Sequence, residues 1–89
     1  CLLALCSSTY VGIRNGLGFK QYEIYDTACH QADPMFNFTS NEVAVSGYPT
    51  TYFANSDCTY VVGMAYHSNW LWQKMPRQVG SFSVLGNWN

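Results

Sequence analysis

Two histidines, five acidic residues and four cysteines are the side chains through which this 89-residue chain could carry out chemistry. A catalytic histidine needs a nucleophile and an orienting acid. His30 follows Cys29 and precedes Asp33, but no strained nucleophile turn accompanies the serines, so it reads as a solvated loop residue. His67 lies among Tyr66, Trp70 and Trp72 and reads as a partly buried packing residue. Glu23 with Glu42, or Asp26 with Asp57, would be the pairs for glycosidase acid–base work. That chemistry also needs a deep, preformed cleft, which a domain of this size can rarely spare. Asp26 and Asp57 fall instead in turn-like segments, where short polar side chains cap backbone groups. Cysteine catalysis needs an unpaired, activated thiol, and the even cysteine count argues against one. The chain is therefore read as non-enzymatic, with no catalytic residue assigned.

Cys1, Cys6, Cys29 and Cys58 stand at spacings of 5, 23 and 29. Zinc sites use tight pairs such as C-x-x-C, and neither histidine completes a finger spacing. No metal or other cofactor is implied. Four cysteines in a short chain read as two disulfides in an oxidising, extracellular compartment. Three pairings are possible. A Cys1–Cys6 bond would close a trivial loop, so the favoured reading bridges the N-terminal pair outward to Cys29 and Cys58. Asn37-Phe38-Thr39 fits the N-glycosylation acceptor pattern, which places Asn37 on a solvent-facing loop of a secreted protein. The apolar start Cys1-Leu2-Leu3-Ala4-Leu5-Cys6 also resembles a signal-peptide remnant. The favoured reading is a retained first strand. Were the segment removed, Cys29 and Cys58 would be left to pair.

Charged residues make up 10 % of the chain, against the usual ~25 %. Arg14, Lys20, Lys74 and Arg77 are scattered, so phosphate neutralisation and nucleic-acid binding are excluded as a function class. The 48 % hydrophobic and 17 % aromatic content is the chain's answer to the ordering cost of a small domain, and a weakly charged, tyrosine- and tryptophan-rich surface tends to associate with a partner. No run approaches the ~18 apolar residues of a membrane span.

The elements that must position these groups are strands. Thr9 to Ile13 alternates, with Thr9, Val11 and Ile13 on one face. Asn15-Gly16 offers the positive-φ pair of a tight hairpin turn. Phe19 to Tyr25 alternates again, with Tyr22 and Ile24 opposing Gln21 and Glu23, and Gly18 as a candidate bulge. Residues 26–41 read as loop, with Phe36 and Phe38 in a short strand. Glu42–Val45 reads as a strand, Ser46–Pro49 as a turn, Thr50–Ala54 as a strand, and Tyr60–Tyr66 as a strand with Gly63 at a bulge. Residues 67–76 are irregular with room for one helical turn, and Val79 to Leu85 alternates. No stretch sustains a helical period. Short strands with frequent turns predict an all-β sandwich or barrel, as one domain over 1–89.

Ile24-Tyr25-Asp26-Thr27-Ala28-Cys29 is echoed by Phe53-Ala54-Asn55-Ser56-Asp57-Cys58, which predicts one supersecondary unit used twice. The first unit is placed at 20–49 and the second at 50–89, leaving 1–19 as an N-terminal strand and hairpin region. The aromatic residues Tyr66, Trp70, Trp72 and Trp88 fall in irregular segments, and are the candidate contact surface because tryptophan and tyrosine carry large area with a polar handle. The competing reading has some of them simply closing the core.

The second unit resembles a Greek-key motif of the βγ-crystallin superfamily, in its small secreted antimicrobial and killer-toxin-like versions. The resemblance rests on Thr51-Tyr52-Phe53-Ala54-Asn55-Ser56-Asp57-Cys58, then Gly63, then Gln78-Val79-Gly80-Ser81-Phe82-Ser83-Val84. It covers residues 50–85 well and 20–49 loosely, where Pro34 stands in place of the glycine. The resemblance implies that Tyr52 and Phe53 form an aromatic strand edge. It implies that Gly63 takes a backbone conformation closed to other residues, and that Ser81 ties down a folded hairpin. Many members bind calcium just before the last strand. Pro76-Arg77 stands there, which supplies no ligand and repels the ion. Asp26, Asp33 and Asn37 are the remaining oxygen donors, at unsuitable spacing.

These observations predict a disulfide-stabilised, compact Greek-key sandwich of two related motifs. The predicted role is a secreted binding protein of antimicrobial, toxin or effector type, presenting its aromatic residues to a glycan, a membrane surface or a protein receptor. The alternative is a structural subunit of an extracellular filament, coat or matrix, self-associating through Leu2–Leu5.

Overall fold

Alternation of apolar and polar residues lets a strand bury one face and expose the other, and here it builds two sheets that bury theirs against each other. The computed structural model describes residues 4–38, 40–65 and 69–85, with side chains from residue 7 onward. The strands are β1 (Ala4–Asn15), β2 (Gly18–Asp26), β3 (His30–Gln31), β4 (Glu42–Ser46), β5 (Thr50–Phe53), β6 (Val61–Ala65), β7 (Gln73–Lys74) and β8 (Ser81–Val84), with a 3-10 helix at Pro34–Asn37. The protein is all-β. One antiparallel sheet has the order β2-β1-β4-β7 and the other β3-β8-β5-β6.

The two halves of the chain follow one plan. β1 and β2 form a hairpin, β3 crosses to the second sheet, and β4 returns to pair with β1. Likewise β5 and β6 form a hairpin, β7 crosses to the first sheet, and β8 returns to pair with β5. Each half thus lends one short strand to the other's sheet. The first unit starts at β1, not at residue 20, and β1 rather than β2 is the counterpart of β5. Residues 4–19 therefore belong to the first unit. The echoed segments are not equivalent in strand order, because Cys29 follows a second strand and Cys58 a first.

The core lies between the sheets. Val11 and Ile13 of β1, Val43 and Val45 of β4, Tyr52 of β5, and Phe82 and Val84 of β8 are buried there, with Ile24, Phe36, Met75 and Val79. Several local expectations change. The first hairpin closes through Asn15, whose Oδ1 accepts from the Leu17 and Gly18 backbone N–H groups at 2.7 and 3.2 Å. This Asx turn replaces the positive-φ pair. Gly18 makes no bulge, since pairing is in register from Thr9 to Asn15. Phe36 lies on the 3-10 helix rather than a strand, because Asp33 Oδ1 caps it by accepting from Met35 N–H at 3.0 Å. A register shift lies between Tyr52 and Phe53 opposite Val61 and Gly63. Gly63 itself avoids the left-handed region; a Cβ there would stand 2.9 Å from Met75 Sδ, so the position is short of room rather than strained. No helical turn forms over 69–76.

Cys29 and Cys58 are bonded to each other, with 6.1 Å between their Cα atoms, which overturns the outward bridging to the N-terminal pair. Both cysteines sit in turns lying over the same sheet, and that closeness decides the pairing. The sulfurs of Cys1 and Cys6, and residues Leu2 and Leu3, lie outside the described residues. Ala4 and Leu5 begin β1.

Candidate functional site

The outward face of the β2-β1-β4-β7 sheet follows from its register. Residues that point away from the core pair in three rows: Phe19, Arg14, Glu42 and Lys74; then Gln21, Gly12 and Ala44; then Glu23, Tyr10 and Ser46. The middle row is small at Gly12 and Ala44, which leaves a trough over β1 and β4. The segment entering β7 fills part of it. Trp70 N–H donates to Val45 O at 3.0 Å, and a Cβ on Gly12 would stand 2.7 Å from the Trp70 ring and 3.2 Å from the Trp72 ring. The missing Cβ at Gly12 thus gives two indoles room to approach the sheet closely. Trp70 adopts φ 60°, a left-handed conformation that costs a non-glycine residue about 1–2 kcal/mol. Strain of this kind gathers at binding surfaces.

The rings form a connected array. Trp70 and Trp72 meet edge-on at 5.7 Å, and Trp72 meets Phe19 the same way at 5.8 Å. The Arg14 guanidinium lies 4.0 Å from the Trp72 ring centre, a cation–π placement, and its Nε donates to Glu42 at 2.8 Å. Trp70 and Trp72 are half-buried and belong to no part of the core between the sheets. Phe19, Tyr10 and Leu71 are exposed beside them. The structure therefore brings two of the four expected contact residues together, on a sheet face rather than in the core. Tyr66 and Trp88 lie outside the described residues, as does His67.

Two shallow hollows flank this array. One, of about 250 Å³, is lined by Tyr10, Gln21, Ser46 and Trp70. Tyr10 is held by its hydroxyl, which donates to Glu23 at 3.0 Å. Hydroxyl bonds from Tyr25 and Tyr10 hold the Glu23 carboxyl below its ordinary range. The other hollow, of about 370 Å³, lies at the hairpin end between Arg14 and Lys74. Its amides are already engaged: Asn15 Nδ2 donates to Met35 O and Asn41 Oδ1, both at 2.9 Å.

The remaining candidates serve the fold. His30 lies in β3 rather than a loop, 2.7 Å from Asp26 Oδ1, with its ring stacked on Phe82. Asp26 also accepts from Ala28 N–H at 3.2 Å, and Asp57 accepts from the Thr59 hydroxyl at 2.7 Å. Glu23 and Glu42 sit on opposite sides of β1, each with its own partner. Ser81 Oγ donates to Asn55 O and accepts from Cys58 N–H at 3.0 Å, so it fastens the turn at 54–60. Tyr52 is wholly buried in the core. Asn37 is exposed at the end of the 3-10 helix. No group of three His, Cys, Asp or Glu side chains able to hold a metal occurs among the described residues.

Tyr10, Phe19, Gln21, Arg14 and Ser46 were missed as contact residues. The signal for three of them was present, since the alternation that turns Val11, Ile13, Tyr22 and Ile24 inward turns Tyr10, Phe19 and Gln21 outward. Comparison of the chain with family models, curated proteins and solved structures gives no match.

Proposed function

We propose that this is a secreted, non-enzymatic binding protein of antimicrobial, toxin or effector type, whose contact surface is the outward face of the β2-β1-β4-β7 sheet. The observation that carries the reading is the array of Trp70, Trp72 and Phe19 on that face, outside the core. Aromatic groups that a core does not need, beside exposed Tyr10 and Leu71, are what a partner would bury. The disulfide supports the extracellular setting. A βγ-crystallin-like Greek-key assignment, from which the antimicrobial label comes, is supported by the exchange of β3 and β7 between sheets and by the bonds of Ser81 to the 54–60 turn. The partner is a glycan, a membrane surface or a receptor. A nucleic acid does not fit a chain of net charge −1 in which Arg14 pairs with Glu42 and Lys20 with Asp33.

The test is the double variant Trp70→Ala/Trp72→Ala, assayed for growth inhibition or cell death and for binding to target cells. Loss of an aromatic hot spot costs about 2 kcal/mol or more, so binding should fall at least about tenfold, with the far-ultraviolet spectrum unchanged. Undiminished activity in both assays would sink the reading.

A structural subunit remains as a second reading because β2, nine residues long, forms an open edge of its sheet and carries exposed Phe19 and Tyr25. Such an edge can add a strand from a neighbour. Light scattering across a concentration series separates the two: assembly supports the subunit, and a constant ~10 kDa mass rejects it.

A further inference from the structure

We infer that the hollow between Tyr10 and Trp70 is a subsite for one neutral pyranose ring of a glycan. This rests on the contact-surface reading above and names the ligand class of that surface.

Size is the first argument. The hollow holds about 250 Å³, below the ~300 Å³ at which pockets for drug-sized ligands begin. It suits a single ring.

The lining is the second. Two walls are aromatic and two groups are neutral and polar, the Gln21 amide and the Ser46 hydroxyl. Neither has a side-chain hydrogen bond to another described residue. An amide and a hydroxyl each donate and accept, which matches sugar hydroxyls that also do both. A pyranose carries a C–H face and a hydroxyl rim. The C–H face packs on the rings of Tyr10 and Trp70, while the rim reaches Gln21 and Ser46.

Charge is the third. No ionised side chain lines the hollow. Arg14 is committed to Glu42 and Trp72, and the Glu23 carboxylate beside Tyr10 keeps its negative charge. A phosphate or sulfate would find no free cation there and would be repelled by Glu23. Trp72 and Phe19 continue the aromatic strip beyond Trp70, so a chain of sugars gains contacts that a monosaccharide lacks.

The position is built rather than accidental. Gly12 lets the Trp70 ring lie against the sheet, and the hydroxyl bond to Glu23 fixes the Tyr10 ring. Orientation of both walls before binding lowers its entropic cost.

The experiment titrates the full chain with neutral cello-, chito-, laminari- and manno-hexaose, with phosphatidylcholine and phosphatidylserine vesicles, and with a polyproline peptide. Readouts are tryptophan fluorescence and the amide-proton NMR shifts of residues 10–23, 44–46 and 70. At least one hexaose should bind and shift Gln21, Ser46 and Trp70. Gln21→Ala and Ser46→Ala should each weaken it about fivefold, the worth of one neutral hydrogen bond, and Trp70→Ala should abolish it. Both polar positions are on the sheet surface, so unchanged melting curves will show intact folding. Failure of all four hexaoses to bind overturns the inference, as does binding indifferent to Gln21→Ala and Ser46→Ala. Binding of vesicles or polyproline alone, lost in Trp70→Ala/Trp72→Ala, overturns the sugar subsite but keeps the contact surface. Unchanged cellular activity in that double variant overturns both.

Discussion

The outward faces of the two sheets have opposite fates. On the β3-β8-β5-β6 sheet, Phe53, Ser81 and Ser83 point away from the core yet are wholly buried. The turn at 54–60 folds over them, and Ser83 Oγ donates to Thr27 O at 3.0 Å, drawing the other turn down. The Cys29–Cys58 bond joins these two turns across the sheet. On the β2-β1-β4-β7 sheet, the trough at Gly12 and Ala44 is bridged by two indoles, and Tyr10, Phe19 and Gln21 remain exposed. The Cys29–Cys58 disulfide and the hydroxyls of Ser81 and Ser83 thus close one face, and the aromatic area of Trp70, Trp72 and Phe19 lies on the other. Stability and contact are divided between the two sheets, and substitutions should separate them.

The largest expected effect is on the closed face. The disulfide closes a loop of sequence separation 29, so Cys29→Ala/Cys58→Ala should cost about 3–4 kcal/mol by the chain-entropy relation, read as a lowered urea midpoint. Hydrogen exchange should rise first in residues 27–29 and 54–60. Next comes Ser81→Ala. It strands the Asn55 carbonyl and the Cys58 amide under the turn, and should cost about 2–3 kcal/mol. The matching change on the open face, Ser46→Ala, should stay within about 0.5 kcal/mol. Equal costs at Ser81 and Ser46 would break the comparison.

A smaller effect of opposite sign is expected between the sheets. The Tyr52 hydroxyl is buried with no hydrogen-bond partner among the described residues, and its burial pushes its pKa up. Tyr52→Phe removes that penalty and should stabilise the protein by about 1 kcal/mol, measured as a raised melting temperature. A destabilising result would show that this hydroxyl has a partner, so the contrast with the bonded serines of the closed face would no longer hold.

Much of this division was legible in sequence, but not all of it. Alternation over Thr9–Ile13, Phe19–Tyr25 and Val79–Leu85 located strands, because a half-buried strand repeats every two residues. It also separated Tyr10, Phe19 and Gln21 from the core side. The pairing of motifs failed because the echo at 24–29 and 53–58 records turn chemistry, a polar run ending in cysteine. Strand order is set by non-local pairing that such a run does not encode. β3 and β7 are two residues each, too short for any period, yet they are the strands exchanged between sheets. Trp70 and Trp72 stood out as aromatic residues in an irregular segment. Their place on the sheet depends on the smallness of Gly12 on another strand, which no local window contains. The disulfide was misjudged for the same reason: loop length says which closure is worth most, while only the fold brings two turns over one sheet.

The last prediction tests whether the turn that carries Cys29 is held by charge as well as by sulfur. Asp26 leads into the turn that carries Cys29, and its Oδ1 lies 2.7 Å from His30 Nε2. The His30 bond, and then the Ala28 N–H, hold the Asp26 carboxyl below its ordinary value of 3.8. A folded-state pKa below the unfolded one gives stability that is present above the ordinary value and is lost as pH falls through the folded one. The two side chains are 48 % and 31 % exposed, so solvent screening limits the effect to a few tenths of a kcal/mol. Urea unfolding at about pH 6 and about pH 3 should therefore show a slightly smaller acid loss in Asp26→Asn than in the parent protein. An identical acid loss in both would mean that the Cys29 turn is held down by the disulfide and the serine hydroxyls without help from the ion pair. The closed face would then owe its stability to groups that do not titrate in acid, and its contrast with the open face, where Glu23 orients Tyr10, would be sharper still.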